Sequence, residues 1–191
     1  MSYIAQLLDD PKELLTLILA TVGGTFALRR WAIDQKWRRV LHAQGLVERF
    51  QQKKSTIKAF EILNVVDEEI EFEFPNKSKK PVKITDDFLI GALSTFAQKE
   101  INDEKEDTVR TILSDSFDDL GTFQCHIDSG LIKTEDIKPY LEYWFQQLTG
   151  RGPVHDDKKL GIQVRKYLTY FGHKRVLSLA ERMGYPFPSD Q

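Results

Sequence analysis

The chain opens on a contrast of pattern. Leu14 to Leu28, LLTLILATVGGTFAL, is fifteen residues without a charge, and the stretch that follows, RRWAIDQKWRRV, is basic and carries Trp31 and Trp37. As a helix the uncharged run rises roughly 22 Å at about 1.5 Å per residue, against a hydrocarbon core of roughly 30 Å. If Arg29 and Arg30 snorkel toward headgroups while Trp31, Ala32 and Ile33 continue the helix, the span becomes twenty residues, Leu14 to Ile33. The pattern predicts an N-terminal transmembrane helix; the competing reading is a buried core helix. Only Lys12, among the acids Asp9, Asp10 and Glu13, precedes the run, whereas Arg29, Arg30, Lys36, Arg38 and Arg39 follow it. The positive-inside rule then places the N-terminus outside and the rest in the cytoplasm, at the inner or plasma membrane. A cleaved signal peptide does not fit, because no basic region leads the run.

Downstream, Leu41, Leu46, Val47 and Phe50 keep helical spacing, so the first helix is expected to run on to about Phe50. Ser55 is the expected N-cap of a helix whose apolar face is Ile57, Phe60, Ile62, Leu63, Val65 and Val66. The period then changes to two. In EIEFEF the residues Ile70, Phe72 and Phe74 alternate with glutamates, and after the polar turn PNKSKKP the segment VKI returns with Val82 and Ile84, a hairpin near 69–85 with Lys83 facing the glutamates.

Thr85 caps the next helix, with Asp86 and Asp87 in its first turn and Phe88, Leu89, Ala92, Leu93 and Phe96 facing inward. After the charged connection INDEKED, a helix of about five turns begins at Thr108, its stripe formed by Ile112, Leu113, Phe117, Leu120, Phe123 and Ile127. DSG ends it. A helix with Pro139 near its start follows, then the Gly/Pro loop TGRGPVHDD, then two closing helices divided at Gly172 and ended by Gly184.

Composition narrows the function classes. The 191 residues carry 27 basic and 29 acidic side chains, a net charge of −2, so the molecule lacks the overall basic excess of a nucleic-acid binder. Locally, residues 29–58 carry net +7, which fits attraction to anionic headgroups better than an RNA or DNA module without aromatic interleaving. The single cysteine, Cys125, makes no internal disulfide, fits a reducing compartment and reads as a small core residue. Within the first helix Ala20 and Gly24, and Gly23 and Ala27, stand four apart, the spacing at which small residues let helix backbones touch in lipid.

Candidate chemistry is sparse. Asp115, Asp118 and Asp119 lie about one turn apart with His126 two turns beyond Asp119, a conceivable carboxylate–histidine metal site; a solvated acidic face competes with it. Cys125 and His126 are adjacent, hence about 100° apart on a helix and unable to act as a nucleophile–base pair. His155 in the Gly/Pro loop has no oriented partner in the sequence and reads as a surface residue, and His42 and His173 have no catalytic companion. Neither a P-loop nor an EF-hand is present, so no cofactor is implied.

The segments WRRV, VERF, AFEILNVVDEEIEF, HIDSGLIKTEDIKPYLEYW and YLTYFGHKRVLSLAERMGY together resemble uncharacterised bacterial single-pass membrane proteins with a cytoplasmic, mostly helical domain of unknown function. The resemblance implies an anchored helical domain and brings no site residues.

The expected fold is mostly α: an N-terminal transmembrane helix at 1–33, a basic juxtamembrane helix at 34–54, and a cytoplasmic helical domain at 55–191 with one small β-hairpin. The expected function is a membrane-tethered interaction or regulatory module. Its association face is Ala20, Gly23, Gly24 and Ala27, and its interfacial anchor is Arg29, Arg30, Trp31, Lys36, Trp37, Arg38 and Arg39. Membrane lipid, a second copy or a membrane protein are the expected partners, with nucleic acid disfavoured. The alternatives are a metal-dependent hydrolase using Asp115, Asp119 and His126, and a soluble helical adaptor.

Overall fold

The structure, a computed structural model, describes residues 11–74, 77–98, 103–155 and 158–189. Asp9 and Asp10, the tip of the hairpin turn at Pro75 and Asn76, Ile101 and Asn102 of the charged connection, and Asp156 and Asp157 beside the loop histidine lie outside the described residues. Among those described, seven helices and one two-stranded hairpin follow in order: α1 Pro11–Gln52, α2 Lys54–Leu63, β1 Glu68–Glu73, β2 Lys79–Ile84, α3 Asp86–Ala92, α4 Glu104–Asp128, α5 Thr134–Leu148, α6 Lys158–Tyr170 and α7 Lys174–Met183. The mostly helical fold with a small hairpin is as the sequence predicts. The chain divides into two compact units, Met1–Leu41 and His42–Gln191.

In the first unit, α1 is exposed all round from Lys12 to Arg38 apart from a half-buried Leu14. The single-pass transmembrane anchor expected here is corrected: no helix among the described residues is long and apolar enough to cross a membrane. The inner-membrane location and the outside-to-cytoplasm topology that rested on it go with it. The reason lies in the run itself. Its fifteen uncharged residues are diluted by Thr16, Thr21, Gly23, Gly24 and Thr25, and extending it to Ile33 takes in Arg29 and Arg30, whose burial at membrane depth is costly. The threonine hydroxyls satisfy themselves within the helix, Thr16 and Thr21 donating to the carbonyls of Lys12 and Leu17 at 2.8 Å and Thr25 to that of Val22 at 2.9 Å.

The second unit has its own core. The last turns of α1 bury Ala43, Val47 and Phe50, spaced four and three apart on one face. Phe50 meets Phe123 edge-on at 5.5 Å and Trp144 at 5.3 Å. At the centre lies α4, packed against α2, α3 and α7 and burying Val109, Leu113, Phe117, Leu120 and Phe123. It begins at Glu104, capped by Asp103, whose carboxylate accepts from the Lys105 amide at 2.9 Å, so part of the expected charged connection is already its first turn. At its far end Ser129 and Gly130, the latter at φ 72°, stop the helix where DSG was read as a terminator.

The hairpin has the expected alternation: Ile70, Phe72 and Phe74 are buried with Val82 and Ile84, and Glu69 stands opposite Lys83. Thr85 caps α3 as expected, its hydroxyl accepting from the Phe88 amide at 3.0 Å. Several local expectations are corrected. Ser55 lies inside α2, which starts at Lys54 after Lys53. That helix ends at Leu63 and buries Thr56, Ala59, Ile62 and Leu63, leaving Ile57 and Phe60 exposed, because the burying face is offset from the most apolar one. Phe96 lies beyond the end of α3 and is exposed. Pro139, expected near a helix start, sits in the second turn of α5.

Candidate functional site

Two regions hold the residues to which the sequence draws attention. The first is α1 from Leu15 to Trp37. At 100° per residue, Leu15, Ile18, Leu19, Val22, Phe26, Ile33 and Trp37 form one bulky stripe, and all seven are exposed, Phe26 by 68%. On an adjoining face lie Ala20, Gly23, Gly24 and Ala27, also exposed; a Cβ placed on either glycine meets nothing within 4 Å. Arg29, Arg30, Trp31, Lys36 and Arg38 are exposed around the same helix, and Arg39 is half-buried. One helix therefore presents an apolar stripe interrupted by Arg29, a small-residue face and a basic second half. An exposed apolar surface of this extent is unusual outside interaction sites.

The second region is a cleft of about 260 Å³ in the folded unit, lined by Leu46, Arg49, Phe50, Lys53, Asp119, Thr122, Phe123 and His126. At its edge the His42 Nε2 and His126 Nδ1 atoms are 3.3 Å apart, with ring centroids 5.1 Å apart in an edge-on arrangement. One of these nitrogens donates and the other accepts. Burial lowers the His126 pKa below its ordinary value of 6.5, and the positive charges of His42 and Arg49 lower it further, so His126 resists protonation.

The suggested carboxylate–histidine site is assembled only in part: Asp119 and His126 line the same cleft, and Asp115 does not join them. Asp119 is paired with Lys53, Asp118 with His173 at 3.1 Å, and His126 with His42, while Asp115 is exposed and lines a separate cleft with Lys54 and Lys58. Among the described residues no group of three His, Cys, Asp or Glu side chains is placed to hold a metal ion. Cys125 is half-buried rather than a core residue, its thiol 3.5 Å from the Gly121 carbonyl.

Sequence reasoning misplaced one histidine outright. His155, read as a surface residue, is 0% exposed; its Nδ1 lies 2.7 Å from the Asp86 carboxylate and its amide donates to Gln147 Oε1 at 3.1 Å. It fastens the Gly/Pro loop to the start of α3. No linear signal joins residues so far apart in the chain. Arg110, equally unremarked, is buried: its Nε donates to the Ala92 carbonyl at 2.8 Å and its guanidinium to Ser94 at 2.9 Å. Gln163 donates to Leu93 at 2.7 Å beside them. Together they satisfy the carbonyls at the negative end of α3. These are structural ties, with no pocket at His155 for a substrate among the cavities described.

No family model matches the chain, and neither a curated protein nor a solved structure does. The fold and the two regions therefore stand on their own geometry.

Proposed function

We propose that the chain is a helical interaction module that engages its partner through the bulky stripe of α1. The observation that supports this reading is the exposure of Leu15, Ile18, Leu19, Val22, Phe26, Ile33 and Trp37 on a helix whose later turns are built into a complete core. Apolar side chains at i, i+3, i+4 and i+7 are what helix-in-groove recognition reads. Covering them is favourable by about 25 cal/mol per Å² removed from water. The hydrolase reading has less support: Asp119 and His126 line one cleft but are paired with Lys53 and His42, and Asp115 lines another.

The test is light scattering on the full chain, purified alone and co-purified from its native source, against the Val22→Glu/Phe26→Glu variant. The expected result is a particle heavier than 22.1 kDa in at least one wild-type preparation, reduced to the single chain in the variant. Single-chain mass for the wild type in both preparations overturns the reading.

A further inference from the structure

Building on that reading, we infer that the stripe of α1 pairs with the same stripe of a second copy, in antiparallel orientation. The argument is charge. Residues 14–28 are uncharged and Glu13 precedes them, whereas the second half holds Arg29, Arg30, Lys36, Arg38 and Arg39 against Asp34 alone. A parallel pair lays the two basic halves side by side, and like charges at helix-neighbour distances repel. Antiparallel pairing sets each basic half against the uncharged half of the other copy and brings Glu13 toward Arg39. The helix is thus complementary to itself under a two-fold axis, which is the requirement for an isologous contact.

The stripe fits that symmetry. With the axis at Phe26, Leu15 opposes Trp37, Leu19 opposes Ile33, and the two Phe26 rings meet each other, over roughly 33 Å of helix at about 1.5 Å per residue. Five of the seven stripe residues gain an apolar partner, while Val22 meets the aliphatic stem of Arg30 and Ile18 lies opposite Asp34. The small face, Ala20, Gly23, Gly24 and Ala27, lies beside this contact; close backbone approach is the driving force in lipid, whereas in water the bulky face removes more apolar area.

The experiment is disulfide crosslinking of the full chain in a Cys125→Ser background, which removes the only native thiol. Phe26→Cys is expected to crosslink to itself. Leu15→Cys alone is expected to stay uncrosslinked, and mixing it with Trp37→Cys is expected to give a heterodimer at least tenfold above either alone. Efficient Leu15→Cys self-crosslinking means a parallel pair and overturns the orientation while leaving the interaction module standing. A single-chain mass for the chain purified alone overturns the second copy; a heavier co-purified complex then assigns the stripe to another protein. Only single-chain mass in both preparations removes the module itself.

Discussion

Phe26 and Phe50 stand on the same helix, yet Phe26 is 68% exposed and Phe50 4%. Leu19 and Val47 differ in the same way, 63% against 3%. Local propensity does not separate them, because α1 is continuous through both regions. What separates them is the surroundings of each: after His42 the helix meets α4 and α5 through Phe123 and Trp144, whereas the stripe from Leu15 to Trp37 is exposed. Helical periodicity reports that a face is destined for burial and is silent on what buries it.

The comparison is broken most forcefully at its buried end. Phe50→Ala removes a ring held between Phe123 and Trp144 and is expected to cost about 3–5 kcal/mol, seen as a lower urea midpoint by near-ultraviolet circular dichroism. Phe26→Ala is expected to leave that midpoint in place. Equal losses would mean that Phe26 belongs to the same core.

The next effect is at Arg110. Arg110→Leu leaves the Ala92 and Ser94 carbonyls without their charged donor, and the unfolding free energy is expected to fall by about 3 kcal/mol. No substitution among the exposed Arg29, Arg30 and Arg38 should approach it; a comparable loss there would show that the basic half of α1 is packed. His155→Ala, which frees the loop from Asp86, is expected to cost about 2 kcal/mol and to speed proteolysis within residues 150–155. Unchanged cleavage kinetics would mean that the buried histidine does not hold the loop.

The smallest effect is one of pH. With its folded pKa below 6.5, His126 takes up a proton more readily in the unfolded chain. Its contribution to stability is therefore fully present above pH 6.5 and is lost as pH falls from there through the folded value. The difference between urea midpoints at about pH 7 and about pH 5.5 is expected to narrow, but not to vanish, when His42→Gln removes a cause of the shift smaller than burial. An unchanged difference would assign the pH dependence elsewhere.

The sequence is legible where a signal is short-range. The alternation of Ile70, Phe72 and Phe74, the Thr85 cap and the Gly184 terminus are all nearest-neighbour chemistry, and each appears as expected. It is illegible where the partner is distant. Asp86 and His155, or Arg110 and the end of α3, are joined only by tertiary folding, and the burying face of α2 is set by what packs on it rather than by Ile57 and Phe60. The transmembrane expectation fails between these limits: the apolar run is too short alone, a span to Ile33 takes in two arginines, and no described helix is long and apolar enough to cross a membrane.

Hydrogen exchange along α1 of the full chain tests the central contrast most directly, comparing amides of residues 15–28 with those of residues 43–50 across a dilution series. The expected result is concentration-independent protection at 43–50, and protection at 15–28 that falls on dilution and disappears in the Val22→Glu/Phe26→Glu variant while 43–50 is unaffected. Protection at 15–28 that persists at every dilution and in the variant would contradict it, because the helix would then be covered by its own chain and its stripe would have no partner to find.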